Sequence, residues 1–422
     1  MDKKNTIIGV LLLVAAMVSF YISARYAPQQ PVRPGAPTPT SGSPLATNQA
    51  PVAGPASSPS DATLSASPAS ALAPAEFVTL SNEFIAVKFT DHGGAIDSIA
   101  LLQKAAHLGP KGAASADRYT FNARQAVPAL SLADFPGADR TVAYALVSRT
   151  ATEVVYRAVA HNIEVTRRYS LAKAPGLDDY QLRHETTFRN LTDAPLALPR
   201  AAFNLGTATP LSDTDTGIYL NVGYYNGDGA EFVQRDELAS AGLFSSAPPP
   251  AFLDKPAAIQ WASVKNQFFA MILTPDQPGA GVRVERVKVN PLLPPEDRGA
   301  YGVTAYAQFD LKPLAAGAST TLGASYFAGP KEYKRLSNLD VFKHHESDVM
   351  QFNSGFGKVF FSGFFAPLLL TIMTWVHSIV PSWGWAIVIT TLLLKIVFLP
   401  LTLAASRSAK RMSKLQPHMA AM

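Results

Sequence analysis

Two hydrophobic patterns divide the 422-residue chain. Long apolar runs lie near its two ends, and short runs that alternate apolar with polar residues fill the middle. The first long run, Thr6 to Ile22, follows Lys3 and Lys4 and precedes Arg25. A helix needs about 17–25 apolar residues to span a bilayer, so this run is at the lower limit. Ala24-Arg25-Tyr26-Ala27 lacks the small-x-small spacing of a cleavage site. The reading preferred over a cleaved signal is therefore an uncleaved anchor over 6–24, with residues 1–5 held in the cytoplasm by their lysines. Residues 25–75 come next, rich in Pro, Ala, Ser and Thr; from Pro28 to Ala75 only Arg33 and Asp61 are charged. Such a segment cannot bury enough apolar surface to offset its chain entropy. It predicts a disordered, semi-extended linker, with a proline-rich partner motif as the lesser alternative.

From Glu76 the texture changes. Phe84, Ala86, Val87 and Phe89 alternate toward a Gly93-Gly94 turn, and Ile96 and Ile99 lie just beyond it. Further strands are predicted at Glu153–Ala158, Ile163–Leu171, Tyr180–Asn190, Ala258–Leu273, Gly281–Val289, Tyr301–Leu311 and Ser319–Phe327. Many short strands and little helical period predict a mainly β domain over 76–335, built as a large antiparallel sandwich. Glu332 to Phe352 reads as a polar, helical connector, with 336–358 joining the domain to the C-terminal apolar segments.

Two apolar segments close the chain. Over 359–380, Thr371, Thr374 and Ser378 recur at helical spacing as one polar edge, and Pro367 breaks the run before it. The second segment, 383–404, reads WGWAIVITTLLLKIVFLPLTLA and is long enough to span. Lys395 stands at its middle, roughly 15 Å from either end at about 1.5 Å per residue. That is too deep for its stem to reach the interface easily, and a charge there costs at least ~2.5–3.5 kcal/mol. Thr391, Lys395, Thr402 and Ser406 fall within a sector of ~60° on a helical wheel, a polar stripe on an apolar rod. Such a stripe faces protein or a water-filled cavity; the plainer reading is a lysine that only pairs with a structural carboxylate. Pro400 is expected to kink the helix.

Residues 405–422 carry Arg407, Lys410, Arg411 and Lys414 on one helical face, which favours an anionic inner leaflet. If 359–380 crossed the membrane, the next helix would carry those charges outward, against the positive-inside rule. An amphipathic helix along the outer interface avoids this, and puts both termini in the cytoplasm and 76–335 in the periplasm.

The formal net charge is +5, and its placement matters more than its size. There is no cysteine, which excludes disulfides, thiolate metal sites and cysteine nucleophiles. None of the eight histidines stands at metal-ligand spacing, and His344-His345-Glu346 lies in the connector. No phosphate-cradling loop or nucleophile elbow is present. Arg167-Arg168 reads as one exposed and one paired side chain rather than an anion site. The expectations are no catalytic residues, no metal and no cofactor.

The run from Trp383 to Pro417 resembles the first core helix of the YidC-type membrane protein insertases. The matching marks are Trp383-Gly384, the single mid-helix cation, Pro400-Leu401-Thr402 and Leu415-Gln416-Pro417. The middle of the chain resembles that family's periplasmic domain, through Gly93-Gly94, Trp261 with Lys265-Asn266-Gln267-Phe268-Phe269, and Tyr326-Phe327-Ala328-Gly329-Pro330-Lys331. The resemblance implies a β-supersandwich plus α-helical membrane segments, in a cell inner membrane. It implies a groove, with Lys395, Thr391 and Thr402 at this chain's positions, that receives polar parts of nascent membrane proteins without making or breaking a bond. Bacterial members usually carry Arg where Lys395 stands, so the charge is kept without the planar fork. The partners implied are membrane protein clients and the phospholipid bilayer, then the secretion translocon and the ribosome, with no direct nucleic-acid contact. Of the family's five core helices only the first lies in this sequence, which reads as a truncated form or one completed by other subunits. Two other readings are a membrane-anchored periplasmic binding module, for carbohydrate among other ligands, and a mutarotase-like enzyme.

Overall fold

The computed structural model describes residues 74–105, 117–123, 125–171, 173–212, 214–239, 250–352 and 362–419. The anchor at 6–24, its cytoplasmic residues 1–5 and nearly all of the linker at 25–75 lie outside the described residues.

Three antiparallel sheets form the sandwich. The first contains β1 (Phe77–Ser81), β2 (Ile85–Thr90), β3 (Ala95–Ala105) and β4 (Arg118–Phe121), in that order. The second draws on β5 (Leu132–Ala133), β10 (Ala201–Ala208), β13 (Phe252–Ile259), β16 (Gly279–Lys288) and β17 (Tyr301–Phe309). The third and largest has nine strands: β6 (Ala145–Arg149), β7 (Glu153–Ala160), β8 (Ile163–Ser170), β9 (Gln181–Asn190), β11 (Asn221–Tyr225), β12 (Ala230–Gln234), β14 (Trp261–Lys265), β15 (Phe269–Pro275) and β18 (Ser319–Pro330). Alternation places the strands: β8 reads buried, partly buried, buried along its length, so Ile163, Val165, Arg167 and Tyr169 face inward. The inner face of the nine-stranded sheet meets both others. Tyr326 on β18 donates its hydroxyl to the Leu205 carbonyl of β10 at 2.8 Å, and Tyr169 on β8 packs its ring 4.9 Å from Phe89 on β2.

The Gly93-Gly94 turn joins β2 to β3 with positive φ at both residues, 71° and 52°. A Cβ on Gly94 would stand 2.9 Å from the Cβ of Tyr156, so space as well as backbone conformation requires glycine.

The single strand expected over Ala258–Leu273 is instead the end of β13 followed by the β14–β15 hairpin. The reason is Asn266. Its Oδ1 accepts the N–H of Phe268 at 3.0 Å and of Phe269 at 2.9 Å, closing a tight turn in the middle of the apolar run. The helical connector expected over Glu332–Phe352 is only a short helix α1 (Tyr333–Leu336) and a 3₁₀ turn at Glu346–Met350. This stretch packs onto the sandwich through Leu336, Phe342 and Val349, all buried in the core. Trp261 donates its indole N–H to the His344 carbonyl at 2.7 Å, and the Glu346 carboxylate accepts from Thr274 and the His344 N–H.

Two long helices complete the chain, α2 (Ser362–Ile379) and α3 (Trp383–Met419), both long and apolar enough to cross a membrane. Residues 359–361 and 420–422 lie outside the described residues. Pro367 does not break α2, which runs through it. In the second turn the ring removes only one backbone bond. α3 is continuous through Pro400 and past residue 404, so the spanning helix and the basic segment are one rod. At ~1.5 Å per residue it is about 55 Å long, well beyond a hydrocarbon core of ~30 Å.

Candidate functional site

α2 and α3 meet at a tight turn. His377 stacks on Trp383 with ring centroids 3.8 Å apart. The first turns of α3 pack on α2: Val376, Ala386 and Thr390 are buried, and Leu394 partly so. Beyond Leu394 every described side chain of α3 is exposed.

The polar stripe lies on the other side of the rod. At about 100° per residue the face of Ala386, Thr390 and Leu394 and the sector of Thr391, Lys395, Thr402 and Ser406 have mean directions about 130° apart. Lys395 is exposed, and none of the ion pairs among the described residues includes it. The stripe's hydroxyls donate to their own helix: Thr391 to the Ile387 carbonyl at 2.8 Å, Thr402 to Leu399 at 2.9 Å and Ser406 to Thr402 at 2.7 Å. Their protons are committed, and their oxygens remain acceptors. Apolar side chains elsewhere around this stretch are exposed as well, among them Ile396 at 66 % and Val397 at 64 % exposure, as suits a rod surrounded by lipid or other helices. Arg407 is exposed further along; the backbone of Lys410, Arg411 and Lys414 is helical, and their side chains lie outside the description. Sequence reasoning did not single out Thr390, buried at the helix contact with its hydroxyl unpartnered. An α2 position to pair it with is what was lacking.

α2 has two exposed strips. Phe364, Phe365, Leu368, Trp375 and Ile379 are exposed over about 100° of its wheel, and Thr371, Thr374 and Ser378 fill the adjoining ~60°.

In the sandwich, the expected division of Arg167-Arg168 into one exposed and one paired side chain does not hold: Arg168 is both, exposed and paired with Glu153 at 2.5 Å. Arg167 is fully buried, donating to the Gly93 carbonyl at 2.7 Å and to the Leu130 carbonyl. His184 lies beside it, stacked on Tyr169 at 4.5 Å; burial, and then the Arg167 charge, hold its pKa well below the ordinary histidine range. Among the described residues no group of three His, Asp or Glu could hold a metal ion.

Two family models match the chain. One, described as the YidC periplasmic domain, covers residues 78–349; the other, the 60Kd inner membrane protein, covers 375–422. Among curated proteins, a membrane protein insertase YidC from Bordetella petrii is 25% identical over 279 residues, 64% of this chain and 43% of its own. Another, from Burkholderia ambifaria, is 30% identical over 172 residues, 41% of this chain and 27% of its own. The chain thus spans less than half the length of these relatives. Among solved structures, YidC from Thermotoga maritima matches with 12% identity and a TM-score of 0.30, over 79% of this chain and 72% of its own. A galactose mutarotase-like protein from Lactobacillus casei matches at 11% identity and a TM-score of 0.40, over 60% of this chain and 100% of its own.

Proposed function

The chain belongs to the YidC family of membrane protein insertases, and from that premise we propose that it helps client proteins integrate and fold in the inner membrane, with Lys395 as an intramembrane positive charge. The observation that carries this is the cation in the middle of the apolar stretch 383–404 of α3, on the sector turned away from α2. A charge at that depth has its cost offset by polar surroundings or by a ligand, not by lipid. The stripe offers one cation and several hydroxyl acceptors. An acidic or polar client segment can dwell there while its apolar helix stays in lipid and gains its own transfer free energy. No covalent bond changes in this scheme. The sandwich acts as a docking or structural body, and further helices, from the same polypeptide or from other subunits, enclose the groove. The secretion translocon and the ribosome are the sources from which clients would arrive.

The orientation rests on the same helices. α2 covers α3 only as far as Leu394, which supports a divergent α2 lying along the outer interface with its apolar strip in the acyl region. α3 then enters from the periplasmic side and delivers Arg407, Lys410, Arg411 and Lys414 to the cytoplasm. Both termini are cytoplasmic and residues 76–335 periplasmic on this reading. A photo-reactive residue placed at Thr391 or Thr402 is expected to capture a nascent client, and one at Val397, on the opposite sector, is not. Capture from Val397 with none from the stripe would overturn the groove assignment.

A further inference from the structure

A cleft of about 560 Å³ opens where the sandwich meets the start of α2. Three pieces of chain build it: the β11–β12 hairpin, the connector before α2, and α2 itself through Gly363 and Pro367. Asn226 shapes the hairpin turn, its Oδ1 accepting the N–H of Asp228 at 2.9 Å and of Gly229 at 3.0 Å. The Asp228 side chain is left exposed at the cleft. In the connector, His345 and Gln351 take the left-handed conformation, with φ of 60° and 58°, on either side of the 3₁₀ turn at Glu346–Met350. Glu346 and Val349 are buried by that turn, while Ser347 and Asp348 line the cleft.

Rings form its walls. Tyr333 and Phe352 stand with ring centroids 5.6 Å apart, Tyr225 and His345 likewise at 5.6 Å, and Phe232 adds another ring. The described lining holds two carboxylates, Asp228 and Asp348, and no lysine or arginine. Neither carboxylate belongs to an ion pair among the described residues. The hydroxyls of Tyr333 and Ser347 also make no hydrogen bond among the described residues, so both are donors to spare. A proline in a polyproline II segment presents a flat apolar ring and an unused backbone carbonyl, with no N–H to satisfy. Aromatic walls suit the ring and free hydroxyls suit the carbonyl. The carboxylates suit an arginine, whose guanidinium both stacks on aromatic faces and pairs with carboxylates. Aromatic-lined grooves recognise such preformed segments at low entropic cost. A zwitterionic lipid headgroup fits less well, because its phosphate would meet carboxylates and no cation.

We propose that this cleft docks a proline-rich, arginine-bearing segment of a partner protein in the polyproline II conformation, its prolines against the aromatic walls and its guanidinium at Asp228 and Asp348. No described residue of α3 lines the cleft, so this binding and client capture at the stripe can fail separately. The test is fluorescence anisotropy of labelled, blocked peptides with the full chain in detergent. The probes are a short peptide of alternating proline and alanine with a central arginine, the same peptide with citrulline for arginine, and one with alanine for every proline. The arginine peptide is expected to bind about tenfold more tightly than the citrulline one, and severalfold more tightly than the one without proline. The double change Asp228→Asn, Asp348→Asn should remove the arginine preference and keep the proline preference; both aspartates are exposed, so the fold tolerates it. Tyr333→Ala should weaken both proline peptides severalfold, and Tyr333→Phe, which keeps the ring, should cost less. No measurable binding, equal binding of the arginine and citrulline peptides, or an arginine preference unmoved by the aspartate changes overturns the proposal. So does displacement of the arginine peptide by soluble phosphoethanolamine at equal concentration, which would assign the cleft to a lipid headgroup. Peptide binding should survive Lys395→Ala unchanged, and its loss there would overturn the cleft as a separate site.

Discussion

Arg167 is buried in the sandwich and Lys395 is exposed on α3, and the chain treats the two cations oppositely. Arg167 is enclosed by backbone carbonyls, so its charge is solvated within the fold. Lys395 has no such cage, and its stripe is open. If positive charge is what matters there, Lys395→Arg should keep or improve insertion of a client with an acidic translocated tail, and Lys395→Ala should weaken it while accumulating normally. Lys395→Glu should be worst, because like charges then meet in a low-dielectric site. The measurement is insertion normalised to the amount of each variant in the membrane. An Ala variant that accumulates and inserts normally would sink the groove charge, and one that fails to accumulate would support a structural pair. His184 carries a pH prediction. Its folded pKa is depressed, so below pH ~6.5 the unfolded chain takes up a proton that the folded sandwich refuses. Stability should therefore fall with pH by about 1.4 kcal/mol per unit from this group, starting near 6.5. Between pH 6.5 and 5 a His184→Asn variant should show a shallower slope of denaturation midpoint against pH. Parallel slopes would mean that His184 protonates in the folded state.

At the scale of elements, the turn at Asn266 decides whether one apolar run makes one strand or two. Its Oδ1 accepts two backbone N–H groups and its Nδ2 donates to the Tyr119 hydroxyl at 2.8 Å. Asn266→Ala should cost about 2–3 kcal/mol, since it leaves buried partners unmatched. Thermal unfolding of the sandwich in the intact chain would register this as a drop of several degrees; an unchanged midpoint would assign the hairpin to its flanking strands alone. The alternating strands β7, β8 and β9 were legible because one face of each is buried and the other is less so; β17 and β18 carry long buried runs and were legible through their Val, Tyr, Phe and Thr between turn residues. β10 and β11 were not, because all their residues are buried and a period of two has nothing to mark. The stripe on α3 was legible since helical spacing alone assembles it.

At the scale of the whole molecule, the proposed function assigns insertion to the helices rather than to the sandwich, and that boundary is testable. Among its described residues the sandwich holds no group that could bind a metal, and its buried polar residues Arg167 and His184 read as core structure. If insertion belongs to the helices, removing the sandwich should leave it largely intact in a polypeptide that carries the further groove helices. Where the cut is made matters. Deleting residues 77–331 would strip Leu336, Phe342 and Val349 of the core they pack into and present them to water beside α2. Deleting residues 77–352 removes them as well. The longer deletion should therefore accumulate better than the shorter one, against the ordinary expectation that a smaller cut does less harm, because exposed apolar residues at a junction favour aggregation and degradation. Both should insert clients about equally well once normalised to the amount in the membrane. A shorter deletion that accumulates as well as the longer one would mean that 332–352 does not depend on the sandwich for its burial. Loss of insertion in a longer deletion whose helices remain stable in the membrane would place part of the insertion function in the sandwich, against the division argued from Lys395.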